Sequence, residues 1–183
     1  MKDWNLDKSW TLFLDRDGVI NQRIMDDYVK QRAEFVLLPG VARAISKAND
    51  LFSHVVVVTN QQGIGKGLMT ERNLLDVHHY CSELLKAEGA VIDAYYFAPN
   101  LASENSSLRK PGSGMALLAQ ADFPEIDFQR SVMVGDSDSD IEFGRKLGMK
   151  TVFIRHAGTT DHPDADLTCD SLESCINLLN DDI

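Results

Sequence analysis

Apolar positions recur along this chain at two different periods. Near-continuous apolar runs occur at Trp10-Thr11-Leu12-Phe13-Leu14, Val55-Val56-Val57-Val58, Ser131-Val132-Met133-Val134 and Thr151-Val152-Phe153-Ile154, with a weaker one at Tyr95-Tyr96-Phe97. Runs this short and rich in β-branched residues read as strands covered on both faces. Between them the apolar spacing becomes helical. Val41, Ala44, Ile45, Ala48, Leu51 and Phe52 follow Pro39-Gly40. Leu74, Leu75, His78, Cys81, Leu84 and Leu85 follow Thr70, a suitable N-cap, and the pattern stops at Gly89. Ser113 is expected to cap a short helix through Met115, Leu117 and Leu118, and Ser139 to open another that ends at Gly148. A last helix is expected between Leu172 and Leu179. Strands alternating with helices call for an α/β fold in three layers, a central and mainly parallel sheet with helices on both faces. Such sheets bind ligands beyond the C-terminal ends of their strands, at the switch in strand order.

The 183 residues suit one domain covering 1–183 with a sizeable core. An apolar share of 44% against 25% charged excludes a disordered or fibrous chain. The longest apolar run, Val55-Val58, is far short of the ~20 residues of a membrane span. The polar start Met1-Lys2-Asp3-Trp4-Asn5 argues against a signal peptide. The 28 acidic residues outnumber 18 basic ones, for a net charge of −10. That charge repels polyphosphate backbones, so nucleic acid and anionic membranes are disfavoured partners. Cys81, Cys169 and Cys175 are too few and too irregular for a disulfide framework or a zinc knuckle, and are expected to be reduced thiols of a cytoplasmic protein.

Polar chemistry clusters just past the strands. Asp15-Arg16-Asp17-Gly18 places two carboxylates on a tight turn after the first run. One can serve as nucleophile and the other as general acid and base, although Asp and Gly also favour plain surface turns. Thr59-Asn60 ends the second run with donors suited to a phosphoryl oxygen. Gly63, Gly65 and Gly67 follow around Lys66, without the spacing of a P-loop. Arg109-Lys110-Pro111 adds two cations. After the fourth strand, Asp136, Asp138 and Asp140 crowd three acids into five residues; they suit Mg²⁺, or equally the start of a helix.

Two acids, then Thr, then Lys, then an acid cluster, each after a successive strand, resemble the haloacid dehalogenase superfamily of phosphotransferases along nearly the whole chain. Phe13-Leu14-Asp15-Arg16-Asp17-Gly18-Val19-Ile20-Asn21, Val58-Thr59-Asn60-Gln61-Gln62-Gly63-Ile64 and Arg109-Lys110-Pro111 are similar to its histidinol-phosphatase and heptose-bisphosphate-phosphatase branch. The resemblance implies Asp15 as nucleophile, Asp17 as acid/base, and Thr59 and Lys110 as phosphate ligands. It implies Mg²⁺ on Asp15, Asp136 and the Asp17 carbonyl, with Asp140 in support. Asn60, Lys66 and Arg109 would face the substrate. The reaction implied is hydrolysis of a phosphate monoester through an aspartyl-phosphate.

The intervals that could hold a cap domain, roughly 24 residues after Asp15 and roughly 36 between the second and third strands, are too short for one once their helices are subtracted. Many members of the branch carry a zinc site before the Arg-Lys-Pro motif. Here the corresponding positions hold Phe97, Pro99, Ser106 and Leu108, so no structural zinc is expected. Ser137 stands where relatives often place a basic residue, and Asp138 has no evident role. The histidines show no metal-ligand spacing near these loops; of His78 and His79, one should face the core and one solvent. The expected partner is a small phosphorylated substrate, a sugar bisphosphate such as D-glycero-D-manno-heptose 1,7-bisphosphate, and a monomer would suffice. Histidinol phosphate, a polynucleotide 3′-phosphate and, outside enzymes, a phospho-accepting receiver role are the alternatives. Asp17 favours hydrolysis over a receiver, because it supplies a base for water.

Overall fold

The computed structural model describes residues 4–156 and 158–180. Six parallel strands form one sheet: β1 (Thr11–Leu14), β2 (His54–Asn60), β3 (Ala94–Ala98), β4 (Ser131–Gly135), β5 (Lys150–Ile154) and β6 (Leu167–Cys169). Their spatial order is β3-β2-β1-β4-β5-β6. β1 therefore lies at the centre, with Thr11 beside His54 on one flank and beside Ser131 on the other. The order reverses between β1 and β4, so the polar residues following β1, β2 and β4 share one edge of the sheet.

Alternation along each strand sorts side chains into two cores. Leu12, Leu14, Val55, Val57, Val132 and Val134 face one side. There they meet α1 (Val41–Leu51), α3 (Glu71–Ala87) and α6 (Leu172–Asn180) through Ile45, Val77, Leu85 and Ile176. Phe13, Val56, Val58 and Met133 face the other side, against Met115, Ala116 and Ala119 of α4 (Gly114–Asp122) and Phe143 of α5 (Asp138–Leu147). Both faces of the sheet are dry, which is why its strands read as continuous apolar runs. The result is a three-layer α/β fold without a cap domain.

Several local expectations need correction. Ser137, not Ser139, stands at the N-cap of α5: its hydroxyl donates to Asp140 Oδ2 at 2.7 Å, and Asp140 N–H reaches back to its carbonyl at 3.0 Å. Ser113 precedes α4 in a helical conformation and its side chain caps nothing, because capping needs the extended backbone it lacks. β6 and the one-turn α2 (Gln62–Gly65) were not expected; Leu-Thr-Cys is too short to show alternation, and α2 lies in a glycine-rich stretch. The end of α5 at Gly148, with φ +79°, follows expectation.

Thr70 caps α3 as its position suggested. Its hydroxyl accepts from Asn73 N–H at 3.2 Å, and Asn73 Oδ1 accepts from Thr70 N–H at 2.9 Å. Thr70→Ala is expected to cost about 1 kcal/mol of stability, read as a lower urea midpoint at unchanged slope. An unchanged midpoint would show that α3 does not depend on this cap.

Candidate active site

β1 delivers Asp15 to the sheet edge, where its N–H still bonds to the Val134 carbonyl at 2.9 Å, one residue beyond the β1–β4 register. Lys110 comes in from the loop before α4. Its Nζ lies 3.0 Å from Asp15 Oδ1 and 2.6 Å from Asp140 Oδ1, and donates to the Val58 carbonyl at 2.7 Å. Asn60, at the end of β2, accepts from Lys110 N–H at 2.9 Å and donates to Lys110 O at 3.1 Å. Its amide thus braces the lysine backbone while the residue lines the cavity. Two glycines make the packing possible. A Cβ on Gly18 would lie 2.0 Å from Asp136 Oδ2, and one on Gly135 would lie 2.1 Å from the Asp140 Cβ.

Asp15, Asp136 and Asp140 each present an oxygen, all within 4.8 Å of one another. Burial pushes the Asp15 carboxyl well up; Lys110 opposes that shift, and Asp140, Asp136 and Asp17 add to it. Burial and Asp140 raise Asp136 as well, against Arg23 and His156. The lysine ammonium is held charged by Asp140 and Asp15 in spite of its own burial. Lys110 alone serves Asp15 and Asp140 among the described cations, and the half-exposed Arg23 reaches Asp136 from 3.5 Å. The donor set, all oxygen and short of positive charge, fits a hard divalent cation such as Mg²⁺. Asp138 does not join it: its carboxylate turns outward and sits 3.3 Å from His162.

Asp17 lies on the same turn in a different environment. Arg16 Nη2 donates to both its oxygens at 2.9 and 2.8 Å, Asn21 Nδ2 to Oδ1 at 2.9 Å and Gln61 Nε2 to Oδ2 at 2.8 Å. Burial works to raise this carboxyl, but the Arg16 charge and the donated bonds outweigh it and hold it below the usual range. Gln61 Nε2 also reaches Thr59 Oγ1 at 3.0 Å, tying Asp17 to the end of β2. Arg16 is wholly buried, and its Nη1 lies 3.3 Å from Nε2 of His78, on α3.

An open cavity of about 420 Å³ lies over these groups. Asp15, Asp17, Thr59, Lys110 and Asp136 line its floor, and Lys66, Arg109 and Tyr28 belong to its wall. Lys66 Nζ stands 5.3 Å from the centre of the Tyr28 ring. Arg109 has a buried Nη1 without a partner. The structure thus gathers every candidate site residue at one edge except Asp140, which lies beneath the floor.

Sequence reasoning gave no role to six neighbours. In the sequence Arg16, Asn21 and Gln61 stand only as parts of motifs, and His78 as one position on an apolar helix face. His156 shows no metal-ligand spacing in the sequence, yet its Nε2 lies 3.0 Å from Asp136 Oδ2, and Arg23 Nη1 lies 3.5 Å from the same oxygen. Both come from loops distant in sequence from Asp136, so spacing carried no signal.

A family profile described as HAD-hydrolase-like matches residues 107–175. The D-glycero-alpha-D-manno-heptose-1,7-bisphosphate 7-phosphatase of Mycobacterium tuberculosis is 37% identical over 166 residues, 89% of this chain and 87% of that protein. The chain belongs to the haloacid dehalogenase-like phosphatases, in their heptose-bisphosphate phosphatase branch. The phosphatase is also 39% identical over 154 residues to the Burkholderia mallei protein of the same name, with 80% of each chain covered. Its fold matches the D,D-heptose 1,7-bisphosphate phosphatase of B. bronchiseptica, solved with magnesium and phosphate, at a TM-score of 0.84 and 27% identity over 95% of this chain and 99% of that one. The corresponding enzyme of Burkholderia thailandensis gives 0.68 at 30% identity over 93% and 98%. Among the described residues of the phosphatase, no helix is long and apolar enough to cross a membrane.

His78 yields a prediction about acid stability. Burial, and then the Arg16 charge, depress its ring to about 3 against a weaker opposing pull from Asp17. The unfolded chain takes up this proton below about pH 6.5, whereas the folded chain refuses it until about pH 3. Stability is therefore complete above 6.5 and falls as pH drops through that window, by up to about 1.4 kcal/mol per pH unit from this residue. Urea titrations of His78→Gln between pH 7 and 4.5 should show a shallower loss than the parent chain. Parallel pH profiles would show that the ring is not held neutral.

Proposed function

We propose that the phosphatase hydrolyses D-glycero-D-manno-heptose 1,7-bisphosphate at its 7-phosphate, through an aspartyl-phosphate on Asp15. What carries this reading is the convergence of Asp15, Thr59, Lys110 and Asp17 on the floor of one cavity that Lys66 and Arg109 also line. The names of the relatives supply the substrate, and favour it over histidinol phosphate.

In the first step an Asp15 oxygen attacks phosphorus in line, the ester P–O bond breaks, and the departing sugar oxygen takes a proton from Asp17. Thr59 and Lys110 donate to the phosphoryl oxygens as charge redistributes over them. At rest, Arg16, Asn21 and Gln61 keep Asp17 ionised. A phosphate dianion entering beside it raises its proton affinity by like-charge repulsion, so that Asp17 takes up a proton from solvent and then serves as the acid. A water then attacks the phosphorus of the acyl phosphate and gives its proton to Asp17, releasing phosphate and restoring Asp15. Mg²⁺ would be held by Asp15, Asp136 and the Asp17 carbonyl, with Asp140 behind them. Bound there, it offsets the repulsion between carboxylate and phosphate and polarises the phosphoryl oxygens. Arg109 and Lys66 would meet the second phosphate, and a substrate body protruding from an uncapped site suits this cavity.

Asp15→Asn should leave the fold intact and abolish phosphate release, because the amide is nearly isosteric but a poor nucleophile. Chelation should silence the parent enzyme, and Mg²⁺ should restore it. Turnover by pure Asp15→Asn protein would sink the mechanism.

Arg109→Ala tests the second anionic subsite. A charge-assisted contact is worth roughly 1.5–3 kcal/mol, so kcat/KM on the bisphosphate should fall about ten- to a hundredfold more than on the matched 7-monophosphate. Equal losses on both would leave Arg109 as a loop anchor.

A further inference from the structure

The contacts behind Asp17 are more elaborate than a surface ion pair requires. The Arg16 side chain turns away from the cavity and is wholly buried, and its charged partner among the described residues is the carboxylate next to it in sequence. A guanidinium can only donate, so His78 Nε2 accepts from Arg16 Nη1 at 3.3 Å, and the ring carries its proton on Nδ1. The imidazole is fixed in turn: it stacks on Tyr95 with centroids 4.6 Å apart and planes 20° from parallel, and meets Phe97 edge-on at 6.3 Å. A chain of contacts thus runs from the β3 aromatics through a neutral histidine and a buried guanidinium to the edge of Asp17 that faces away from solvent. Asn21 and Gln61 hold the same carboxylate from two further directions. These bonds spare part of the carboxylate for the cavity, where its side chain keeps 22% of its exposure.

We propose that Arg16 and His78 are positioning residues for the leaving-group proton transfer: His78, as a neutral acceptor, sets the guanidinium, and the guanidinium sets the direction of the Asp17 carboxylate. The proposal rests on the reading of Asp17 as acid/base. His78 touches neither substrate nor the reacting atoms. Its acceptor nitrogen matters because a guanidinium released from it can rotate and carry the carboxylate with it. Proton transfer tolerates little displacement, and a shift of about 1 Å costs on the order of a hundredfold in rate.

The decisive measurement compares kcat/KM on two substrates. An alkyl phosphate needs its departing oxygen protonated, whereas p-nitrophenyl phosphate loses a stable phenolate without help. Because kcat/KM covers events only up to departure of the leaving group, water activation does not enter. His78→Leu, which fills the space without an acceptor, should lose about ten- to a hundredfold more on the alkyl phosphate than on the aryl one. His78→Gln, whose amide oxygen can accept from Arg16, should recover most of that difference. Losses equal on both substrates, or a Gln variant no better than Leu, would overturn the proposal. If His78→Leu does not fold, Arg16→Lys, which cannot span both partners, is held to the same expectation. Asp17→Asn in the same assay separates the two layers: a selective alkyl loss there without one in the clamp variants removes the clamp alone. No selective loss in Asp17→Asn removes the acid/base reading and the proposal with it.

Discussion

One ammonium group holds the site together. Lys110 Nζ sits among Asp15 at the end of β1, Asp140 in the first turn of α5 and the carbonyl of Val58 in β2, at 3.0, 2.6 and 2.7 Å. Charges buried this deeply are tolerated only when each finds a partner of opposite sign or a donated bond. Removing the lysine would leave Asp15 and Asp140 facing each other with no cation between them; removing Asp140 would leave a buried cation with a single carboxylate. The positions of three chain segments are thereby made mutually dependent. The same constraint explains why the floor of the cavity is crowded with acids yet ordered.

The two carboxylates of the Asp15-Arg16-Asp17 turn show how local surroundings divide labour between chemically identical groups. Asp15 is pushed up by burial and by its acidic neighbours, with Lys110 restraining the shift. Asp17 is pulled down by the Arg16 charge and by the bonds that Arg16, Asn21 and Gln61 donate to it. A group crowded by negative charge calls for an added cation. A group surrounded by donors is stable as a base. The separation comes from what stands behind each side chain rather than from the chain itself.

Much of this was legible before the fold was known, for physical reasons that also explain the gaps. β1, β2 and β4 were visible because strands buried on both faces need unbroken apolar sequence, and α3 because Thr70, its apolar spacing and Gly89 mark start, face and stop. Asp15, Thr59, Lys110 and Asp136 were visible because each follows such a strand or a marked turn. Arg16 was not, since a residue between two acids carries no hint of which way its side chain turns. His78 fitted an apolar helix face equally well as packing. His156 and Arg23 reach Asp136 across the sheet edge from loops with no periodicity. β6 was missed because three residues cannot display a pattern. Contacts made through tertiary closure leave little trace in local sequence.

The central place of β1 has a kinetic consequence. Its register sets Thr11 beside both His54 and Ser131, and Asp15 completes its geometry only through Val134, on a strand formed from a distant part of the chain. Parallel pairings of such large sequence separation are slow to close, whereas helices with local caps form early. During folding, helical content therefore rises while Asp15 still lacks the strand that orients it. Recovery of turnover reports closure of the whole sheet, and not the formation of any single element.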